Sequence, residues 1–278
     1  MSKILSKRKL AENIFEFVFE APKVVKHAKA GQFVILRADE KGERVPFSIC
    51  DFDKQKGTLT LLIQVVGGTT YKLSRLNAGD SVCDIVGPLG EASRLDIYSN
   101  PVLVGGGIGC ADVFPQAKMF KSISKPCDVI IGARNKDLIL YEEEFKSVAK
   151  NLYLTTDDGS YARKGFVTDT LKDLIEQGKN YDLVFAVGPI PMMKAVCALT
   201  KTHNIKTIVS MNTLMVDGTG MCGCCRVTVG GQIKYACVDG PEFDGHLVDW
   251  DEAINRSKTY LDYEREHLCR LKGQKRQL

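Results

Sequence analysis

The chain has 278 residues, 44% of them hydrophobic and 26% charged, with a formal net charge of +4. It is long enough for two compact domains and a small appended module, and its composition excludes an intrinsically disordered chain. A charge so near balance gives no reason to expect a nucleic acid or a membrane surface as partner, and no apolar run approaches the ~20 residues of a membrane span.

Met1–Ala11 is polar and basic, without a signal-peptide pattern, so the cytoplasm is the expected location. Residues 1–97 then read as a series of short strands. Ile14–Phe19 alternates, Gly31–Arg37 is a β-type run behind a turn, and Thr58–Val66 is rich in Thr, Leu, Ile and Val. Gly57, Gly67-Gly68, Gly79-Asp80 and Gly87-Pro88 supply turns, and Thr70–Leu76 fits one short helix. The expected form is a small antiparallel barrel.

From Pro101 the rhythm changes. Pro101–Val104, Asp128–Ile131, Leu152–Thr155, Leu183–Val187 and Thr207–Met211 are short apolar runs, with helical stretches such as Asp169–Glu176 and Pro191–Leu199 among them. This alternation predicts a parallel sheet with helices on its faces over 98–211. Residues 212–278 form a third segment, loop-rich at first and charged and helical from Trp250. The expected fold is thus α+β and multidomain: antiparallel barrel, parallel α/β domain, small C-terminal module.

Three motifs carry chemistry. Gly105-Gly106-Gly107-Ile108-Gly109 follows a predicted strand and opens a helix, a place where backbone N–H groups and the helix terminus accept a pyrophosphate. Its spacing departs from strict GxGxxG, and a tight strand-to-helix turn is the plain alternative. In Arg44-Val45-Pro46-Phe47-Ser48, a guanidinium suited to phosphate stands beside an aromatic face and a small hydroxyl; an ordinary edge strand is the alternative. Gly67-Gly68-Thr69-Thr70 adds a second loop of backbone donors at a helix start.

The third motif is the most specific. Of ten cysteines, Cys50, Cys83, Cys110, Cys127, Cys197 and Cys269 stand alone and read as core packing. Cys222, Cys224, Cys225 and Cys237 crowd together, which in a reducing compartment points to metal. Plant-type [2Fe–2S] sites use C-x4-C-x2-C with a distant fourth cysteine. Cys222, Cys225 and Cys237 supply three such positions, and the first position of that pattern, separated from Cys222 by four residues, is Asp217. Zinc held by three thiolates and a carboxylate, or by four thiolates, is the alternative, although adjacent Cys224 and Cys225 suit it poorly.

Together these residues resemble the ferredoxin–NADP⁺ reductase superfamily over nearly the whole chain. The resemblance runs through RVPFS at 44–48, GPLG at 87–90, VGGGIG at 104–109, GAR at 132–134, TDDGSYARKG at 156–165, GPIPMMKAV at 188–196 and MVDGTGMCGCCRVTVGG at 215–231. Within the superfamily the chain is similar to the small-subunit family of NADH-dependent reduced ferredoxin:NADP⁺ oxidoreductases, also described as sulfide dehydrogenase electron-transfer subunits. The electron-transfer subunit of dihydroorotate dehydrogenase is a near relative and the alternative assignment.

The resemblance implies FAD, a [2Fe–2S] cluster and NAD(H) as cofactors, with NADP(H) an alternative nucleotide. It implies that Arg44 holds the FAD pyrophosphate, that Phe47 and Ser48 are the catalytic pair beside the isoalloxazine, with Ser48 toward N5, and that Gly68, Thr69 and Thr70 complete the FAD phosphate site. Gly106, Gly107 and Gly109 line the nucleotide pyrophosphate, and Gly188 and Pro189 lie near the nicotinamide. Asp217, Cys222, Cys225 and Cys237 are the implied cluster ligands, with Cys224 a competitor for Asp217. Asp157-Asp158 after the third parallel strand disfavours a 2′-phosphate, whereas Arg134 favours one. A heterodimer with a larger subunit carrying a second flavin and [4Fe–4S] clusters, and ferredoxin reached through it, complete the expectation. The basic tail, Arg265, Arg270, Lys272, Lys275 and Arg276, is either a docking surface for that subunit or a solvated helix face.

Overall fold

The computed structural model describes residues 1–271 and 273; Lys272, Lys275 and Arg276 of the basic tail lie outside the described residues. Chain order begins with β1 (Ser2–Ala11), β2 (Ile14–Glu20), α1 (Pro22–Val25), β3 (Phe33–Arg37), β4 (Arg44–Ser48), β5 (Asp51–Asp53), β6 (Thr58–Gln64), α2 (Gly68–Arg75), β7 (Ser81–Val82) and β8 (Asp84–Leu89). These strands make two antiparallel sheets, β5-β6-β2-β1-β7 and β4-β3-β8. Phe17, Phe19, Leu59, Leu61 and Ile63 from one sheet meet Val34 and Leu36 from the other in a single core, each strand turning alternate residues inward.

β1 is an addition to the sequence expectation. Ile4 is buried, but most of the strand faces solvent, so its place rests on the ladder to β2 rather than on apolar alternation. Lys7 runs its stem over Phe15 and Phe17 and donates to the carbonyls of Ser74 and Leu76, an amphipathic use of a cation that reads as solvated surface in the sequence.

The second part comprises β9 (Pro101–Gly106), α3 (Cys110–Ser122), β10 (Asp128–Ala133), α4 (Glu142–Val148), β11 (Asn151–Thr156), β12 (Arg163–Lys164), α5 (Val167–Glu176), β13 (Leu183–Val187), α6 (Ile190–Thr202) and β14 (Thr207–Ser210). The third contains β15 (Arg226–Val229), β16 (Gln232–Tyr235), β17 (Glu242–Asp244), α7 (Trp250–Arg256) and α8 (Leu261–Leu271). The large sheet runs β12-β11-β10-β9-β13-β14-β17. All its pairings are parallel except β14 with β17. The C-terminal segment therefore lends an edge strand to the preceding sheet, with Ser210 paired to Glu242.

The chain leaves β9 for β10 on one side and returns to β13 on the other, so the strand order reverses at β9. The crevice outside the carboxyl ends of β9 and β13 is where an open α/β sheet binds ligands. One continuous core joins Phe33 and Ile35 of the barrel, Val102, Val104 and Val184 of the sheet, and Cys225, Ala236 and Cys237 of the third segment. Cys50, Cys110, Cys127 and Cys197 are buried, as packing predicts, whereas Cys83 and Cys269 are partly exposed. Among the described residues no helix is long and apolar enough to cross a membrane.

Candidate functional site

The glycine run caps β9 at the strand reversal. Its members do different jobs. A Cβ on Gly107 would meet nothing within 4 Å, and the residue takes a left-handed φ of +55°; this backbone faces open space where a ligand can approach. A Cβ on Gly109 would lie 2.5 Å from the Val187 carbonyl oxygen, so Gly109 lets α3 start hard against the end of β13. Gly106 and Gly188 face one another, with Met192 of α6 over both, and Pro189 caps α6. Asp157 is exposed just after β11, its N–H bonded to the Ala133 carbonyl. The Asp158 N–H donates to the Arg134 carbonyl, bringing the two nucleotide-discriminating candidates to one end of β10 and β11.

In the barrel, Arg44, Phe47 and Ser48 lie on β4, all half-buried. Among the described residues Arg44 has neither ion-pair nor hydrogen-bond partner, and a half-buried guanidinium without one suits a phosphate. Thr69 and Thr70 are buried at the start of α2. The Thr69 hydroxyl donates to Glu43 at 2.8 Å. Thr70 Oγ1 accepts from the N–H groups of Val66 and Gly67, and so caps the loop. Gly67 is open, whereas a Cβ on Gly68 would strike the His267 ring of α8. The C-terminal helix thus covers the predicted FAD phosphate loop, a contact that sequence reasoning missed.

Sequence reasoning also missed Asp112. It stands in the first turn of α3, and Ser48 donates to its Oδ2 at 2.8 Å. Burial pushes the Asp112 carboxyl up to about 6, with the Ser48 bond opposing. A carboxylate directly behind a glycine loop that should welcome phosphate was the available signal. One turn further along α3, buried Gln116 donates to Glu242 of β17.

The cysteine loop turns on Gly218, Gly220 and Gly223, all at positive φ. Cys225 and Cys237 are buried with their sulfurs 3.2 Å apart. Burial, then contact with Cys225, pushes the Cys237 thiol up to about 12. The Cys225 thiol donates to the Cys237 sulfur, and the pair is close enough for both sulfurs, once deprotonated, to serve one iron. Cys222 is exposed, its thiol lowered by hydrogen bonds from the Asp217 and Cys224 backbone. Asp217 accepts from the N–H groups of Thr219, Met221 and Cys222, which lowers its carboxyl. The structure thus brings Cys225 and Cys237 together, sets Cys222 at the loop's exposed end, and folds the loop around Asp217. Among the described residues no three His, Cys, Asp or Glu side chains gather around one point. Arg256 of α7 donates to the Cys224 carbonyl and ties the loop down.

Three family models match the chain in order. They are the oxidoreductase FAD-binding domain over residues 2–93, the oxidoreductase NAD-binding domain over 103–198, and the iron–sulfur cluster binding domain of dihydroorotate dehydrogenase B over 212–249. The chain is 53% identical over 272 residues to a Clostridium beijerinckii protein described as an uncharacterized protein in the adh 3′ region, covering 95% of this chain and 92% of that one. It is 45% identical over 265 residues to a Thermotoga maritima homolog of the dihydroorotate dehydrogenase B (NAD(+)) electron transfer subunit, with 95% and 93% covered. Among solved structures it matches a chain of the NADH-dependent reduced ferredoxin–NADP oxidoreductase, a study of flavin-based electron bifurcation, at 44% identity and a TM-score of 0.92, covering 98% of both.

Proposed function

Because the chain belongs to the dihydroorotate dehydrogenase B electron-transfer-subunit family of the ferredoxin–NADP⁺ reductase superfamily, we propose that it is the small, nicotinamide-linked subunit of an electron-bifurcating ferredoxin:NADP⁺ oxidoreductase. It is an NAD(P)H-dependent flavin oxidoreductase subunit that uses FAD, NAD(H) and an iron–sulfur cluster. The observation that carries the reading is the shared core: flavin-strand, nucleotide-sheet and cysteine-loop residues pack as one body, as a relay between fixed cofactors requires.

The chemistry FAD would supply when bound is hydride acceptance from the nicotinamide and release of single electrons to the cluster. The chain's residues bind and orient. Arg44 would pair with the FAD pyrophosphate, Phe47 and Ser48 would lie against the isoalloxazine, and Gly68, Thr69 and Thr70 would shape the phosphate loop. Gly106, Gly107 and Gly109 form the turn that admits the nucleotide pyrophosphate, and Gly188-Pro189 places the nicotinamide. Cys222, Cys225, Cys237 and Asp217 would hold the cluster, all four within the cluster module 212–278, which follows the FAD barrel 1–97 and the nucleotide domain 98–211. A larger subunit with a second flavin and [4Fe–4S] clusters takes the electrons onward toward ferredoxin, in the cytoplasm. Asp217 favours this reading over a dihydroorotate dehydrogenase subunit, where cysteine stands at that place.

The test is the visible spectrum and metal content of anaerobically purified protein. Flavin bands with about two irons per chain are expected; zinc without flavin would overturn the assignment. Gel filtration of the complete native protein then checks the partner, which a fully active monomer would exclude.

A further inference from the structure

The hydrogen bond between Ser48 and Asp112 crosses from the barrel to the nucleotide domain and joins the end of β4 to the first turn of α3. An ionised carboxylate only accepts hydrogen bonds, and a serine hydroxyl has one hydrogen to give. At neutral pH Asp112, with its carboxyl at about 6, is mostly ionised. The Ser48 hydrogen is therefore committed to Asp112, and its oxygen offers lone pairs to any other neighbour.

Resting on the reading that the flavin lies against Ser48, we propose that Asp112 is a positioning residue that makes Ser48 a hydrogen-bond acceptor toward flavin N5 and so favours the reduced cofactor. Reduced flavin carries a hydrogen on N5 and donates to the Ser48 oxygen. Oxidised flavin presents a lone pair there, and the two acceptors oppose each other. Neither side chain gains or loses an atom, since N5 takes its hydride from the nicotinamide. A group that prefers one redox state must shift the potential by that same preference. Glu242 of β17, its own carboxyl raised by burial and by the charge of Asp112, faces this region, Gln116 lies one turn along α3, and Cys110 lies beside Asp112 on the same helix. Lys118, further along α3, is paired with Asp51 of β5.

The experiment measures the two-electron flavin potential of the full-length protein as wild type, Asp112→Asn, Asp112→Ala, Ser48→Ala and the double variant Ser48→Ala/Asp112→Asn. Asp112→Ala removes the acceptor, and in Asp112→Asn the amide N–H can donate to the Ser48 oxygen, so in both the Ser48 hydrogen is released to reach oxidised N5. The expected result is a fall in potential, about 30 mV for a tenfold change in the affinity ratio. A purely electrostatic role has the opposite sign, because loss of a negative charge eases formation of the electron-rich reduced flavin. In the Ser48→Ala background, Asp112→Asn should add no further fall. An unchanged or raised potential in both Asp112 variants, or an undiminished fall without Ser48, overturns the proposal. If Ser48→Ala itself leaves flavin spectrum and potential unaltered, the placement of the flavin fails as well, which separates the two claims.

Discussion

Gln116 on α3 donates a 2.9 Å hydrogen bond to Glu242 on β17, so a buried amide of the nucleotide domain holds a half-buried acid of the cluster segment. Burial, with the charge of Asp112 adding to it, pushes the Glu242 carboxyl up to about 8. The folded protein thus binds this proton more tightly than the unfolded chain.

Stability should therefore fall as pH rises from the ordinary glutamate range to about 8, at up to about 1.4 kcal/mol per pH unit for this one group. Glu242→Gln keeps an acceptor for Gln116 and removes the titration. Its thermal midpoint should exceed that of the wild type increasingly from pH 5 to pH 8. Parallel melting curves across that window would refute the buried proton.

Gly109 and Gly107 should separate fold from ligand binding. Gly109→Ala forces a methyl against the Val187 carbonyl and should cost about 1–3 kcal/mol of stability, read as a lowered denaturation midpoint. Gly107→Ala meets open space but strains a left-handed backbone, at roughly 1–2 kcal/mol. It should weaken NADH binding out of proportion to its stability loss. Equal effects of both variants on NADH affinity would contradict this division.

Cys225→Ser should abolish the cluster, measured as loss of iron from the purified protein, because it removes half of the buried sulfur pair. Asp217→Cys replaces a hard oxygen donor with a thiolate and should change the EPR spectrum of the reduced protein. An identical spectrum would leave Asp217 only as the acceptor that folds its loop.

Asp157 stands exposed at the end of β11, near the Arg134 backbone. NADH should reduce the protein faster than NADPH, and Asp157→Asn should narrow the ratio severalfold by removing a charge that repels a 2′-phosphate. Stopped-flow reduction by each nucleotide gives the answer, and an unchanged ratio would move the discrimination to Arg134.

Much of the fold was legible because its strands bury both faces. Leu183–Val187 matches β13 residue for residue, and the runs at Pro101, Asp128 and Leu152 lie within β9, β10 and β11. Strand β1 escaped because its pairing depends on backbone groups that no side-chain pattern reveals. β17 escaped because three residues, Glu242–Asp244, are too few for periodicity and two of them are half-buried acids. The motif loops were visible as glycine and cysteine spacings. The contacts that join them were not: His267 over Gly68 and Asp112 beside Ser48 connect residues far apart in the chain.

The pairing of Ser210 with Glu242 gives the cysteine loop a closed root. The Met211 N–H also bonds to the Pro241 carbonyl, so the segment between departs from the sheet and returns to the same spot. Antiparallel neighbours of this kind can be joined by a turn of two residues. The loop is thus a cassette clipped into a finished sheet. Its two ends are fixed by the sheet edge, while Cys225, Val227 and Ala236 between them fill the common core, so the segment is held at its root and along its inner face.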